Sequence, residues 1–167
     1  MTAGNGMMRL SAVFAIIAMA TSVSAQELKE GWGFQFRQDA FDGTVFPLSM
    51  MSESGDGFDK ALLAFTCAKD GSLVPFYQGG GFVVFPKPEK VSFKGKEGIV
   101  DVTFEVGEVP RMGKRLTADA KSTEALISLF EAADGVDVPF RSGDKKGLFS
   151  SIASKVTFKL MRETCPK

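Results

Sequence analysis

The chain has 167 residues, with 20 basic and 20 acidic side chains and no histidine. The even balance gives no bulk electrostatic pull toward nucleic acid or anionic lipid. The missing histidine excludes Ser-His-Asp and Cys-His catalysis and any histidine-bearing zinc site.

The N-terminus has the three parts of a secretory signal. Arg9 precedes an apolar run over 10–23, and Val23 and Ala25 occupy the −3 and −1 positions of a cleavage site before Gln26. The run is shorter than the ~20 residues of a membrane-spanning helix, so a retained anchor is the alternative and a removable signal over 1–25 the expectation. Removing it takes away only Arg9 among the charges and leaves about one net negative charge on 26–167. That length suits a single domain with a true hydrophobic core. A periplasmic or secreted location follows, with no stable membrane span after cleavage. The two cysteines, Cys67 and Cys165, then have one intramolecular pairing available in an oxidising compartment. The alternative is a buried thiol and a free terminal one.

Along the chain, Trp32, Phe34 and Phe36 alternate with Gly33 and Gln35, the period of a half-buried strand. Asp39-Ala40-Phe41-Asp42-Gly43 reads as a turn. A second strand is predicted over 44–51, with Pro47 placing it at an edge or bulge. The nearly continuous apolar run over 60–68 suits a central strand. Lys69-Asp70-Gly71 turns it into a return strand over 72–78. Gly79, Gly80 and Gly81 break that strand, and 82–85 resumes it. Residues 90–93 are short and extended. After a turn over 94–98, residues 99–106 give the cleanest alternation, with Val100, Val102, Phe104 and Val106 directed to the core.

A helix is predicted over 122–133, capped by Ser122 and stopped by Gly135, with Leu126, Leu129, Phe130 and Ala133 on one face. A short strand follows over 136–140. For 148–164 the helical reading places Leu148, Phe149, Ile152, Ala153, Val156 and Leu160 on one face; a strand over Val156, Phe158 and Leu160 is the rival. The fold class is therefore α+β: a mostly antiparallel, sandwich-like sheet with one or two helices and one disulfide.

The chemical motifs are few. Gly107 to Lys114 approaches a phosphate loop, but the glycine spacing is one too long and Arg115 stands where Ser or Thr belongs. Asp39, Asp42, Asp56 and Asp59 miss calcium-loop spacing and read as turn-capping carboxylates, so no metal and no cofactor are expected. Arg111, Lys114 and Arg115 form the densest basic cluster, read either as a solvated turn or as a contact for an anion or a partner. Lys87, Lys90, Lys94 and Lys96 read as protection for an edge strand. The 16 phenylalanines, against one Trp and one Tyr, read as core filling.

Several short motifs carry a family resemblance: Trp32 in the first strand, Asp39-Ala40-Phe41-Asp42-Gly43, Ser49-Met50-Met51, Leu62-Leu63-Ala64-Phe65-Thr66-Cys67, the helix around 126–130, and Leu160-Met161-Arg162-Glu163-Thr164-Cys165. On these the chain resembles the small exported accessory proteins associated with type VI secretion. The resemblance implies a β-rich periplasmic domain with a cysteine bridge and no catalytic residue. The leading functional expectation is a non-enzymatic envelope protein that binds another, unidentified envelope protein, through Asp39, Asp42, Arg111, Lys114 or Arg115. The alternatives are an apolar small-ligand carrier, and a hydrolase using Asp39 and Asp42 or a Ser–Lys pair.

Overall fold

The computed structural model describes residues 31–81 and 86–166. The export signal expected over 1–25 and the strand expected over 82–85 lie outside them. Among the described residues, nine antiparallel strands form one continuous sheet: β1 (Gly33–Gln38), β2 (Val45–Ser52), β3 (Leu62–Cys67), β4 (Leu73–Gln78), β5 (Glu89–Gly95), β6 (Gly98–Val109), β7 (Gly113–Thr117), β8 (Val138–Ser142) and β9 (Lys145–Phe149). Their order across the sheet is β1-β2-β3-β4-β7-β6-β5-β8-β9. Two helices among the described residues, α1 (Ala120–Ala133) and α2 (Ser154–Thr164), complete the α+β fold.

The long strand β6 organises the sheet. Its first part pairs with β5 up to Phe104, and its second part pairs with β7 from Glu105 onward. It thereby belongs to both halves, β1-β2-β3-β4-β7 and β5-β8-β9. The far ends of the sheet then meet. Ser54, just past β2, donates its amide to the Leu148 carbonyl of β9 at 2.8 Å, and Lys145 pairs with Glu53 at 3.2 Å. The inner face closes on α1 and α2. Trp32, Phe65, Phe130 and Phe158 form one aromatic knot, and Phe93, Phe130, Phe140 and Phe149 continue it. Edge-on and tilted ring pairs of this kind add to the burial of large apolar area.

Strands β2 to β4 are covered on both faces, which accounts for their near-continuous apolar character. Their outer residues Leu48, Ala64 and Phe76 pack under Val109 and Met112, so the end of the β6–β7 hairpin folds over them. The disulfide is formed: Cys67, at the end of β3, is bonded to Cys165, just past α2, with Cα atoms 5.5 Å apart across a sequence separation of 98.

Several expectations need correction. Asp119, not Ser122, caps α1, its carboxylate accepting the Ser122 amide at 2.7 Å. The tail is a strand and then a helix, because 145–149 pairs with β8 before α2 begins at Ser154. The predicted apolar face of that tail is also largely outward, with Ile152, Val156 and Leu160 exposed. The buried face is Ser154, Thr157, Phe158 and Met161, which shares a side with Cys165 at spacings of three and four. The bridge to β3 sets the rotation of this helix. Strand β2 is not an edge strand; Pro47 is accommodated because the β3 ladder begins only at Leu48. Strand β5 is likewise interior, between β6 and β8, and Lys90 pairs with Asp101 at 2.7 Å instead of guarding an edge. Phe36 and Val106 keep the predicted alternation but stand exposed, because the helices do not reach over those ends of β1 and β6.

Candidate functional site

The sequence-predicted residues fall into two groups. Asp39 and Asp42 shape the β1–β2 turn. Asp39 Oδ1 accepts the Phe41 amide at 2.8 Å, and Asp42 Oδ1 accepts the Thr44 amide at 2.7 Å. Hydrogen bonds from Thr44 hold the Asp42 carboxyl below its ordinary value, and the charge of Arg111 adds to this. Arg111 occupies the tip of the β6–β7 hairpin in a left-handed conformation (φ 60°), with its guanidinium 5.5 Å from the centre of the Phe46 ring. Asp42, Arg111 and Phe46 thus join two hairpins. Their polar groups are occupied by turn and cation–π contacts.

Lys114 and Arg115 lie elsewhere. On β7 they line a cleft of about 540 Å³ that runs between Gln78–Gly80 at the end of β4 and Pro86–Glu89 at the start of β5. Lys87 lines it as well. Among the described residues, none of these three cations has an ion-pair partner. Arg115 Nη1 donates to the Lys114 carbonyl at 2.8 Å. The fold thus separates the basic cluster of the sequence, leaving Arg111 outside and adding Lys87.

The cleft has an inner wall, Tyr77 and Glu89, that sequence reasoning missed, and a buried polar group stands behind it. Tyr77 lines the cleft and is stacked on Phe104, with ring centres 5.1 Å apart. The residue is only 2% exposed and its hydroxyl has no hydrogen-bond partner among the described residues. Burial, and then the negative charge of Glu89, push this phenol well above its ordinary range, while the Ser142 hydroxyl acts in the opposite direction. The buried Ser142 hydroxyl donates to Glu89 Oε1. Next to it, Lys145 donates to the Asp59 carbonyl and pairs with Glu53, whose Oε2 also accepts the Ala61 amide at 2.9 Å. Gly80 passes so close that an added Cβ would lie 2.5 Å from Asp59 Oδ1 and 2.6 Å from Lys145 Nζ. With φ at 103° the position also favours glycine. The triple glycine is therefore a close-passing strand exit. No local sequence pattern marks Glu53, Tyr77, Glu89 and Ser142 as neighbours, since they come from four separate strands or strand ends.

Among the described residues, no group of three or more acidic or cysteine side chains is arranged to hold a metal ion. No protein family matches this chain, and neither does any curated protein or solved structure.

Proposed function

We propose that the protein is a non-enzymatic binding protein of the bacterial envelope, exported to the periplasm or beyond and of the type VI secretion-associated accessory kind, whose cleft receives an acidic segment of a protein partner. The observation that carries this reading is the set of three cations, Lys87, Lys114 and Arg115, lining one open cleft and making no ion pair among the described residues, while the one acid of the lining, Glu89, accepts from Ser142. Charges held at the rim of a rigid site steer and orient an oppositely charged partner. The other readings draw less support. The phenylalanines that a carrier needs around a cavity are packed against one another and against α1 and α2. The Asp39 and Asp42 carboxylates that a hydrolase needs are engaged in turn hydrogen bonds.

A labelled poly-glutamate peptide, titrated at low salt, tests the reading. The Lys114→Glu/Arg115→Glu double variant should bind at least about tenfold more weakly, and added salt should weaken the wild-type complex. An unchanged affinity in the double variant rejects the cleft as the site.

A further inference from the structure

The outer face of the sheet is treated differently in its two halves. Over β2 to β4 it is covered by the protein's own β6–β7 hairpin. Over β6, β5, β8 and β9 it carries an open trough of about 630 Å³. The strand register shows what lies there. One row across the strands is Asp101, Ser92, Arg141 and Lys146. Beside it, Ile99 stands opposite Lys94, and Pro139 opposite Leu148.

A solvated antiparallel face should be polar. Here Ile99 is 68% exposed and Leu148 40% exposed. The trough also holds the cations Lys94, Arg141 and Lys146, none with an ion-pair partner among the described residues. The one carboxylate in the rows, Asp101, is paired with Lys90 at 2.7 Å and accepts a hydrogen bond from the Ser92 hydroxyl at 2.6 Å. Glu97, Asp137 and Asp144, in the segments flanking these strands, do not line the trough, and neither does Glu53, which is paired with Lys145.

We infer that this trough is a second docking surface, and that its occupant is an acidic amphipathic segment of a protein, with aliphatic side chains seated between Ile99 and Leu148 and carboxylates reaching Lys94, Arg141 and Lys146. Charge complementarity selects an acidic occupant, and the aliphatic pair selects an apolar one. Three cations and two aliphatic side chains are too few to hold a bilayer, which takes a polybasic cluster or a deeply inserted apolar face. No residue lines both this surface and the cleft at β7, so the two readings stand or fall separately.

The probe is a short soluble peptide alternating leucine and glutamate and carrying a photo-cross-linker, tested on the full chain. Saturable binding is expected, with cross-links mapping to 92–99 and 139–148. Lys94→Glu/Lys146→Glu should weaken binding at least about tenfold, and Ile99→Ser, at an exposed position, should weaken it while leaving the circular dichroism unchanged. The proposal is overturned by cross-links at Lys87 or 114–116 instead, by equal affinity of the double variant, or by equal affinity for the matching leucine–lysine peptide. It is also overturned if phosphatidylglycerol vesicles displace the peptide, or if the surface is found to bury itself between two copies of the chain.

Discussion

At the scale of single residues, Tyr77 is the most informative position. Among the described residues its buried hydroxyl has no hydrogen-bond partner, the nearby Ser142 hydroxyl being donated to Glu89; such a group has lost its water without a bond in exchange, and removing it is neutral or favourable. Tyr77→Phe should leave the stacking on Phe104 in place and raise stability by about 1 kcal/mol in urea unfolding. A loss of similar size shows that the hydroxyl is satisfied after all. The same residue predicts an alkaline limb. Its phenol is pushed up in the folded state, so the unfolded chain ionises first, near pH 10. The stabilisation is whole below that pH and is lost as pH rises toward the folded value. Tyr77→Phe should remove this part of the alkaline loss. Asp119 gives the opposite limb. The Ser122 amide holds its carboxyl below the ordinary value, so its contribution is present above about pH 4 and fades as pH falls through the folded value. Asp119→Ala should lower the melting temperature at pH 7 and become indistinguishable from wild type in strong acid. Asp119→Asn, which keeps the cap oxygen, should stay close to wild type at pH 7.

At the scale of elements, the sequence was most readable where one face of a strand or helix is covered. Strands β2 to β6 and helix α1 follow from alternation, apolar runs and three-four spacing. Two strands were missed. β7 carries a single buried side chain, Leu116, too little for a pattern. β9 is readable only through its turn: Gly143-Asp144 joins Ser142 directly to Lys145, a two-residue hairpin signal. In α2 the aliphatic stripe pointed to the wrong face, since apolar periodicity alone does not decide which side is buried. Counting back from Cys165 by four, seven and eleven reaches Met161, Phe158 and Ser154, the buried side. A covalent anchor fixed what hydropathy could not. The polar wall of the cleft was unreadable for another reason: its members converge only through the curl of the sheet. Gly147 in β9 tests that packing. An added Cβ would collide with the Glu53 carboxylate and come within 2.6 Å of the Phe140 ring. Gly147→Ala should cost about 1–3 kcal/mol in urea unfolding, the usual range for overpacking. A neutral result would mean that the seam between Glu53 and β9 opens without penalty.

At the scale of the whole molecule, the disulfide and the seam hold different parts of the curled sheet. The Cys67–Cys165 bond closes a separation of 98 residues, and chain entropy assigns such a closure roughly 4–5 kcal/mol. Replacing both cysteines by alanine should lower the unfolding free energy by up to about that amount, read from urea titrations; a change below about 1 kcal/mol would show that α2 docks without its tether. Both open surfaces, the cleft at β7 and the trough over β5, β8 and β9, belong to chain within that closure. Together the two proposed docking surfaces amount to one sheet that holds two acidic segments in fixed relation.

The same bond governs what a protease can remove. Lys96 and Arg111 stand exposed at hairpin turns between the two cysteines. A cut at either leaves fragments joined through sulfur, and the nicked protein migrates as a single band on a gel until a reducing agent is added. Arg37, exposed on β1, lies before Cys67. Scission there frees the N-terminal piece under any redox condition, so gels run with and without thiol distinguish damage the molecule survives from damage it does not.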